Sequence, residues 1–340
     1  MSNDRQNRYV ILMRVLDILE KDAEAEARFS PDEQQSLLEA VNRIGSPLVA
    51  KHQKTTNPPL APAIAPPSGA VLSEHPTIVL VTVNDNETHA LLDEYIGAGQ
   101  APQQETRSGV TYNILGNHGG CRIVHTVCEM GPGGVGASQQ RTREAIDHWD
   151  PKAIIAVGIA FGVDETKQSI GDVLVATQIQ DYELGRLNEN GTLTPRGDKP
   201  SCVGPFLNRL RQTDTAEKRR TSDWPKLRFG LVLSGQKLID NLDYRESLKD
   251  SFTEAVGGEM EGVGVYVSAS AAKIDWIVVK AICDWGYKKN QSDKEAWQKL
   301  AAKNAARVLK TAIDAGGLYL NPLSFQASPI APPTSRQQRW

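Results

Sequence analysis

The chain reads as an α/β protein. Short apolar runs alternate with helical patterns from Thr77 onward, glycine turns and an Asp-Pro break separate them, and polar residues gather where the runs end. The 340 residues suffice for one full-sized core with a small accessory module beside it. Hydrophobic residues at 40% and charged residues at 23% exclude wholesale disorder. A net charge of -3 gives no ground for a nucleic-acid or membrane partner. Cys121, Cys128, Cys202 and Cys283 show no C-x-x-C spacing, which argues against a zinc site or a disulfide framework. The polar start MSNDRQNRYV is not a secretory leader, and no apolar run nears the roughly 20 residues that span a bilayer. A cytoplasmic protein is expected.

Taken in order, residues 1–50 are expected to form a small helical module. Val10, Ile11, Met13, Val15, Leu16, Ile18 and Leu19 make one apolar face, and Leu37, Leu38, Val41 and Ile44 recur at helical spacing after the capping box Ser30-Pro31-Asp32-Glu33. Two short helices bury little alone, so the module is expected to pack on the main domain or on another subunit. Residues 51–76 are a proline-rich linker, 77–316 the main domain, and 317–340 a tail expected to be disordered.

Within the main domain, Ile78–Val81 predicts a buried strand, ending in the polar turn Asn84-Asp85-Asn86 before a helix that carries Glu87. Arg122–Cys128 predicts a second strand, followed by the turn Gly131-Pro132-Gly133-Gly134-Val135-Gly136 and a helix to Trp149, broken by Asp150-Pro151. Ala153–Val157 predicts a strand ending in Gly158-Ile159-Ala160-Phe161-Gly162; Val173–Ile179, Arg228–Leu233 and Trp276–Ala281 predict three more. A capping box, Ser292 to Glu295, opens a last helix expected to bury Trp297, Leu300, Ala301, Val308, Leu309 and Ala312.

Gly131, Gly133 and Gly136 satisfy the dinucleotide fingerprint G-x-G-x-x-G. That fingerprint also needs an acidic residue at the end of the next strand, where this chain has Gly158. Two other readings stay open: a tight turn requiring positive φ, or a loop whose amides face an anion or a sugar.

Five short segments occur in order: Gly158-Ile159-Ala160-Phe161-Gly162, Gly171-Asp172-Val173-Leu174-Val175, Ser234-Gly235, Glu259-Met260-Glu261-Gly262 and Ala281-Ile282-Cys283-Asp284. Together, over about residues 77–315, they resemble the nucleoside phosphorylase superfamily. The nearest resemblance is to its hydrolytic branch, the methylthioadenosine/S-adenosylhomocysteine nucleosidases and AMP nucleosidases. The wording around Trp276–Lys280 and Cys283-Asp284-Trp285-Gly286 most resembles phosphorylase-like effector domains of bacterial anti-phage systems, some of them similar enough to suggest cleavage of adenine nucleotides. The resemblance implies a three-layer sandwich around a central mixed sheet, a purine nucleoside or nucleotide as ligand, no cofactor, and a homo-oligomer (dimer, trimer or hexamer).

Elementary chemistry bears on the same residues. Breaking a ribosyl C–N bond leaves positive charge on the sugar and negative charge on the base, so an acid at the base, a ribose anchor and a positioned water are needed. Asp284, at the end of an apolar strand and beside Trp285, suits an acid of raised pKa that protonates purine N7. By resemblance Glu261 grips the ribose hydroxyls, with Glu259 able to share that role, Met260 packs on the sugar and Glu87 orients the water, with Asp85 its rival. Leu238 and Ile239 match the segment flanking adenine, although the family commonly has an aromatic ring at the first of these. Ala160, Phe161 and Gly162 are expected to line the pocket, and Gly133, Gly134 and Arg186 to meet phosphate. Phosphorylases usually place serine or threonine in the Gly158–Gly162 segment; Ile159 cannot donate a hydrogen bond to phosphate, which favours water as nucleophile. His89, His118, His125 and Cys283 are expected to be structural, the basic stretch Arg209, Arg211, Lys218, Arg219 and Arg220 to be a solvated helix-and-loop surface, and no metal site is expected. The rival functions are a phosphate-dependent phosphorylase and a nucleotide sensor without catalysis.

Overall fold

The computed structural model describes residues 75–319, apart from 190, 192, 203 and 289–291. The helical module expected over 1–50, the linker up to 74 and the tail from 320 lie outside the described residues. In chain order the elements are β1 (Thr77–Thr82), α1 (Asp85–Ile96), β2 (Gln103–Arg107), β3 (Val110–His118), β4 (Cys121–Val127) and α2 (Ser138–Trp149). There follow β5 (Ala153–Gly162), β6 (Val173–Asp181), β7 (Gly185–Leu187), β8 (Leu193–Pro195), α3 (Pro205–Arg220) and β9 (Leu227–Ser234). The last are α4 (Leu242–Ser251), β10 (Ala255–Glu259), α5 (Gly262–Ala271), β11 (Asp275–Asp284) and α6 (Lys294–Asp314).

Nine strands form one mixed sheet in the order β10-β9-β6-β11-β5-β1-β4-β3-β2, while β7 and β8 form a separate hairpin. β1 lies parallel between β4 and β5. With neighbours at both edges and helices on both faces, all six of its residues are buried, which is why its sequence is a continuous apolar run rather than an alternating one. α1 and α3 pack on α6 in one helical layer; α2 packs on α5 in the other, and α6 and α5 both cover β5 and β11. Small residues let α6 lie close to the sheet: Ala301, Ala305, Val308, Leu309 and Ala312 are fully buried. Each of the larger two contributes about 1.5–3 kcal/mol.

The sheet also closes on itself. β10 pairs parallel with β9, then antiparallel with the far end of β5 at Gly257↔Gly162 and Gly258↔Phe161. A β-carbon on Gly257 would lie 2.5 Å from the Phe161 carbonyl oxygen, and one on Gly258 2.3 Å from the Phe161 ring. Only a glycine pair allows this approach.

Four local expectations need correction. β5 does not end at Val157 but runs through Gly162, because β11 stays paired with it and β10 takes over at its end. Of the turn Asn84-Asp85-Asn86, only Asn84 lies outside α1: its side chain accepts the Glu87 N–H, and the helix starts at Asp85. α6 starts at Lys294 rather than after a Ser292 cap; the Ser292 hydroxyl donates to Asp293 instead. Leu300, expected in the core, is exposed and Trp297 half-buried. After α6, Leu318 is buried and the Tyr319 hydroxyl donates to Asp275 at 2.8 Å.

Candidate active site

The capping box that starts α1 also aims a carboxylate inward. Glu87 Oε2 accepts N–H groups from Val83 at 2.7 Å and Asn84 at 3.3 Å, and Oε1 accepts the Ile159 N–H at 2.8 Å. A β-carbon at Gly158 would sit 2.0 Å from Glu87 Oε1, so the glycine is what admits the carboxylate against β5. Glu87 is buried, while Asp85, its rival in sequence, is exposed in the first turn of α1. Burial raises the Glu87 carboxyl above its ordinary range; Lys280 pulls it down and Glu261 pushes it up.

Gly158 pairs with Lys280 on β11, and that lysine is the centre of the site. Lys280 is buried, its Nζ bonded to Glu261 and 3.1 Å from Glu259 Oε2. Burial disfavours its charge, but Glu261, Glu259 and Glu87 more than offset that and hold the ammonium well above its ordinary value. The sequence reading passed over Lys280. Its signal was a lysine inside the apolar run Trp276–Ile282, where a charge is rare unless paired.

The two β10–α5 glutamates divide the work. Glu259 accepts the N–H groups of Glu261 at 2.8 Å and Gly262 at 2.9 Å, which fixes the turn into α5. Glu261 Oε1 accepts the Gly131 N–H at 3.1 Å, and its carbonyl accepts the Ser138 hydroxyl at 2.8 Å. The glycine turn, with φ +90° at Gly131, therefore reaches the cluster through one amide. Met260 is half-buried beside it.

Asp284 lies at the other end of the same pair of strands. The β5–β11 register shifts between Ile282, opposite Ala160, and Asp284, opposite Phe161. The bulge at Cys283 re-aims the aspartate at the sheet's end. Asp284 Oδ1 accepts the Gly286 N–H at 2.8 Å and Oδ2 the Cys283 thiol at 3.3 Å. The Trp285 ring lies against Gly162, where a β-carbon would come within 2.5 Å of it. Asp284 and Trp285 share with Glu165, Tyr287, Lys288, Lys294 and Trp297 a cavity of about 210 Å³.

Glu87, Glu259 and Glu261 thus converge on Lys280, and Ala160, Phe161, Gly162 and Asp284 continue along the same two strands. Ile239 is buried beside Gly286. Leu238 is 63% exposed, and Arg186 is exposed on the β7–β8 hairpin, outside the Asp284 cavity. Gly133 and Gly134 face a second, open groove of about 460 Å³ between α2 and α5. His125 is buried, accepting from Asn113 and bonded to Thr82 at 2.8 Å; burial lowers its pKa to about 3. His118 pairs with Asp314, and His89 is exposed. Arg211, Lys218, Arg219 and Arg220 form a solvated face of α3, with Arg209 half-buried. Among the described residues, no cluster of three or more His, Cys, Asp or Glu side chains is arranged to hold a metal, and no helix is long and apolar enough to cross a membrane.

Residues 77–314 match the phosphorylase superfamily, and the chain belongs to it. A death domain-containing ATP nucleosidase of Amphimedon queenslandica is 26% identical over 258 residues, which are 69% of this chain and 48% of that protein; the chain thus spans about half its length. A 5'-methylthioadenosine/S-adenosylhomocysteine nucleosidase of Haemophilus influenzae is 26% identical over 166 residues, 48% of this chain and 70% of that protein. Among solved structures, an S-adenosylhomocysteine nucleosidase from Streptococcus pyogenes superposes with a TM-score of 0.59 at 22% identity, covering 72% of this chain and 98% of its own. Futalosine hydrolase of Helicobacter pylori gives 0.58 at 18%, covering 70% and 97%.

Proposed function

We propose that the protein hydrolyses the N-glycosidic bond of an adenine nucleotide, releasing adenine and a ribose phosphate. The observation that carries this reading is the buried cluster of three glutamates around one lysine. Its excess negative charge favours a transition state in which the ribose becomes positive. In this reading Asp284 donates a proton to N7 as the C1′–N9 bond breaks and its electron pair passes to the base. Glu261 holds the ribose hydroxyls, with Met260 against the sugar. Glu87 orients the water, whose oxygen bonds to C1′ and whose proton the glutamate accepts. Lys280 holds Glu261 in place through their ion pair. Ile159 presents an apolar side chain where phosphate would need a donor, which supports water over phosphate as nucleophile. The Amphimedon relative supports a nucleotide substrate, since its name gives ATP.

We further read the enzyme as a cytoplasmic homo-oligomer and, by its resemblance to anti-phage effectors, as one that depletes adenine nucleotides in infected cells. Incubation with ATP, AMP, adenosine and methylthioadenosine in phosphate-free buffer, followed by chromatography, is expected to release free adenine fastest from a nucleotide. A sugar 1-phosphate product with a rate that tracks phosphate concentration overturns hydrolysis. Faster cleavage of methylthioadenosine overturns the nucleotide and leaves the glycosidase.

A further inference from the structure

The cavity beside Asp284 carries a signal that the cluster around Lys280 does not. At about 210 Å³ it is smaller than the roughly 300–1,000 Å³ of whole-ligand pockets, a size that suits one end of a ligand rather than the whole. Its walls are the rings of Trp285, Tyr287 and Trp297, and its cations are Lys288 and Lys294. Among the described residues neither lysine has a carboxylate partner; the Lys288 ammonium only lies 5.5 Å from the centre of the Tyr287 ring. The cavity's other carboxylate, Glu165, is already occupied, by Arg245 at 3.3 Å and by the Tyr287 hydroxyl.

Lys294 is also the first residue of the 21-residue helix α6, where the helix dipole disfavours a cation. Glu295 in the same first turn pairs with Lys299 at 2.6 Å on the exposed side, and Asp293 makes no side-chain cap bond, so the first-turn N–H groups have no side-chain acceptor from the cap. A bound anion would satisfy both the lysine and the helix end.

The position fits one end of the substrate. Ile239, matched above to the adenine flank, lies against Gly286, while Lys294 and Trp297 of α6 line the cavity; Gln298 of α6, one turn after Lys294, accepts from Asn86 in the first turn of α1. The first turns of α6 therefore lie next to the helix start that aims Glu87 inward. Resting on the nucleotide reading above, we propose that Lys288 and Lys294 bind the phosphate chain of the substrate, against the aromatic walls of this cavity. Arg186 is then not the phosphate contact.

The test compares Lys288→Ala/Lys294→Ala and Lys288→Arg/Lys294→Arg with the unsubstituted protein. It reads KM and kcat for ATP and adenosine, and the Kd of inorganic tripolyphosphate by calorimetry. The expected result is a kcat/KM for ATP lowered at least about tenfold more than that for adenosine, mostly through KM, with tripolyphosphate binding weakened about tenfold or more and restored by arginine. Equal losses for ATP and adenosine, or unchanged tripolyphosphate binding in the alanine variant, overturn the assignment. If the unsubstituted protein cleaves no purine compound yet binds tripolyphosphate through these lysines, the anion site stands and the glycosidase reading falls.

Discussion

At the scale of single residues, the site separates groups that hold the fold from groups that would do chemistry. Asp284 accepts the Gly286 N–H and the Cys283 thiol through bonds that its amide counterpart can keep in large part, so Asp284→Asn is expected to fold normally while losing at least about 10²-fold in rate. Near-normal release of adenine by that variant removes it as the acid. Lys280 belongs to the opposite class. Removing it leaves buried carboxylates with no cation, so Lys280→Met is expected to cost about 3–5 kcal/mol at pH 7. The pH dependence has a definite sign. Burial already raises the folded-state pKa of Glu87 above its ordinary 4.5, and loss of the nearby ammonium raises it further. A folded state that keeps a proton which the unfolded chain releases is stabilised below 4.5 and loses that stability as pH rises through the folded value. Urea unfolding should therefore show a smaller deficit for Lys280→Met at pH 5 than at pH 7, and an equal deficit at both contradicts the electrostatic account.

At the scale of elements, what was legible in the sequence follows from burial. β1, β4, β6, β9 and β11 showed as runs because most of their residues are buried, and Glu87 was singled out by resemblance, just past the first of them. β2 escaped because a strand at the sheet's edge, Gln103–Arg107, is mostly polar and carries no apolar alternation. The end of β5 was misjudged since Gly158 and Gly162 read as breakers, when each is there to admit a side chain, Glu87 or Trp285. Asp284's orientation was equally hidden: a bulge depends on two strands' register, which one strand's sequence does not contain. The glycine pair of β10 gives the test at this scale. Gly258→Ala would thrust a methyl into the Phe161 ring, and a stability loss of about 1–3 kcal/mol with reduced turnover is expected. Unchanged melting and turnover together would mean that the closure is soft.

At the scale of the molecule, the proposed machinery is drawn from segments far apart in the chain: Glu87 after β1, Gly131 before α2, Glu261 before α5, Lys280 and Asp284 on β11. Such a site forms only when the long-range pairing is complete, and slow folding is the cost of that topology. The double pairing of β10 has a further consequence, in the exchange of amide protons with solvent. A five-residue strand is ordinarily among the first to open, yet this one is tied to β9 along one side and β5 along the other. Its amides should exchange near the rate of global unfolding, with those of the edge strand β2 orders of magnitude faster. Fast exchange at Gly257 and Gly258 would break the link. Slow exchange would mean that Glu259 and Glu261 stand on the part of the protein that opens last, and that the proposed grip on the sugar survives motions that loosen the rest.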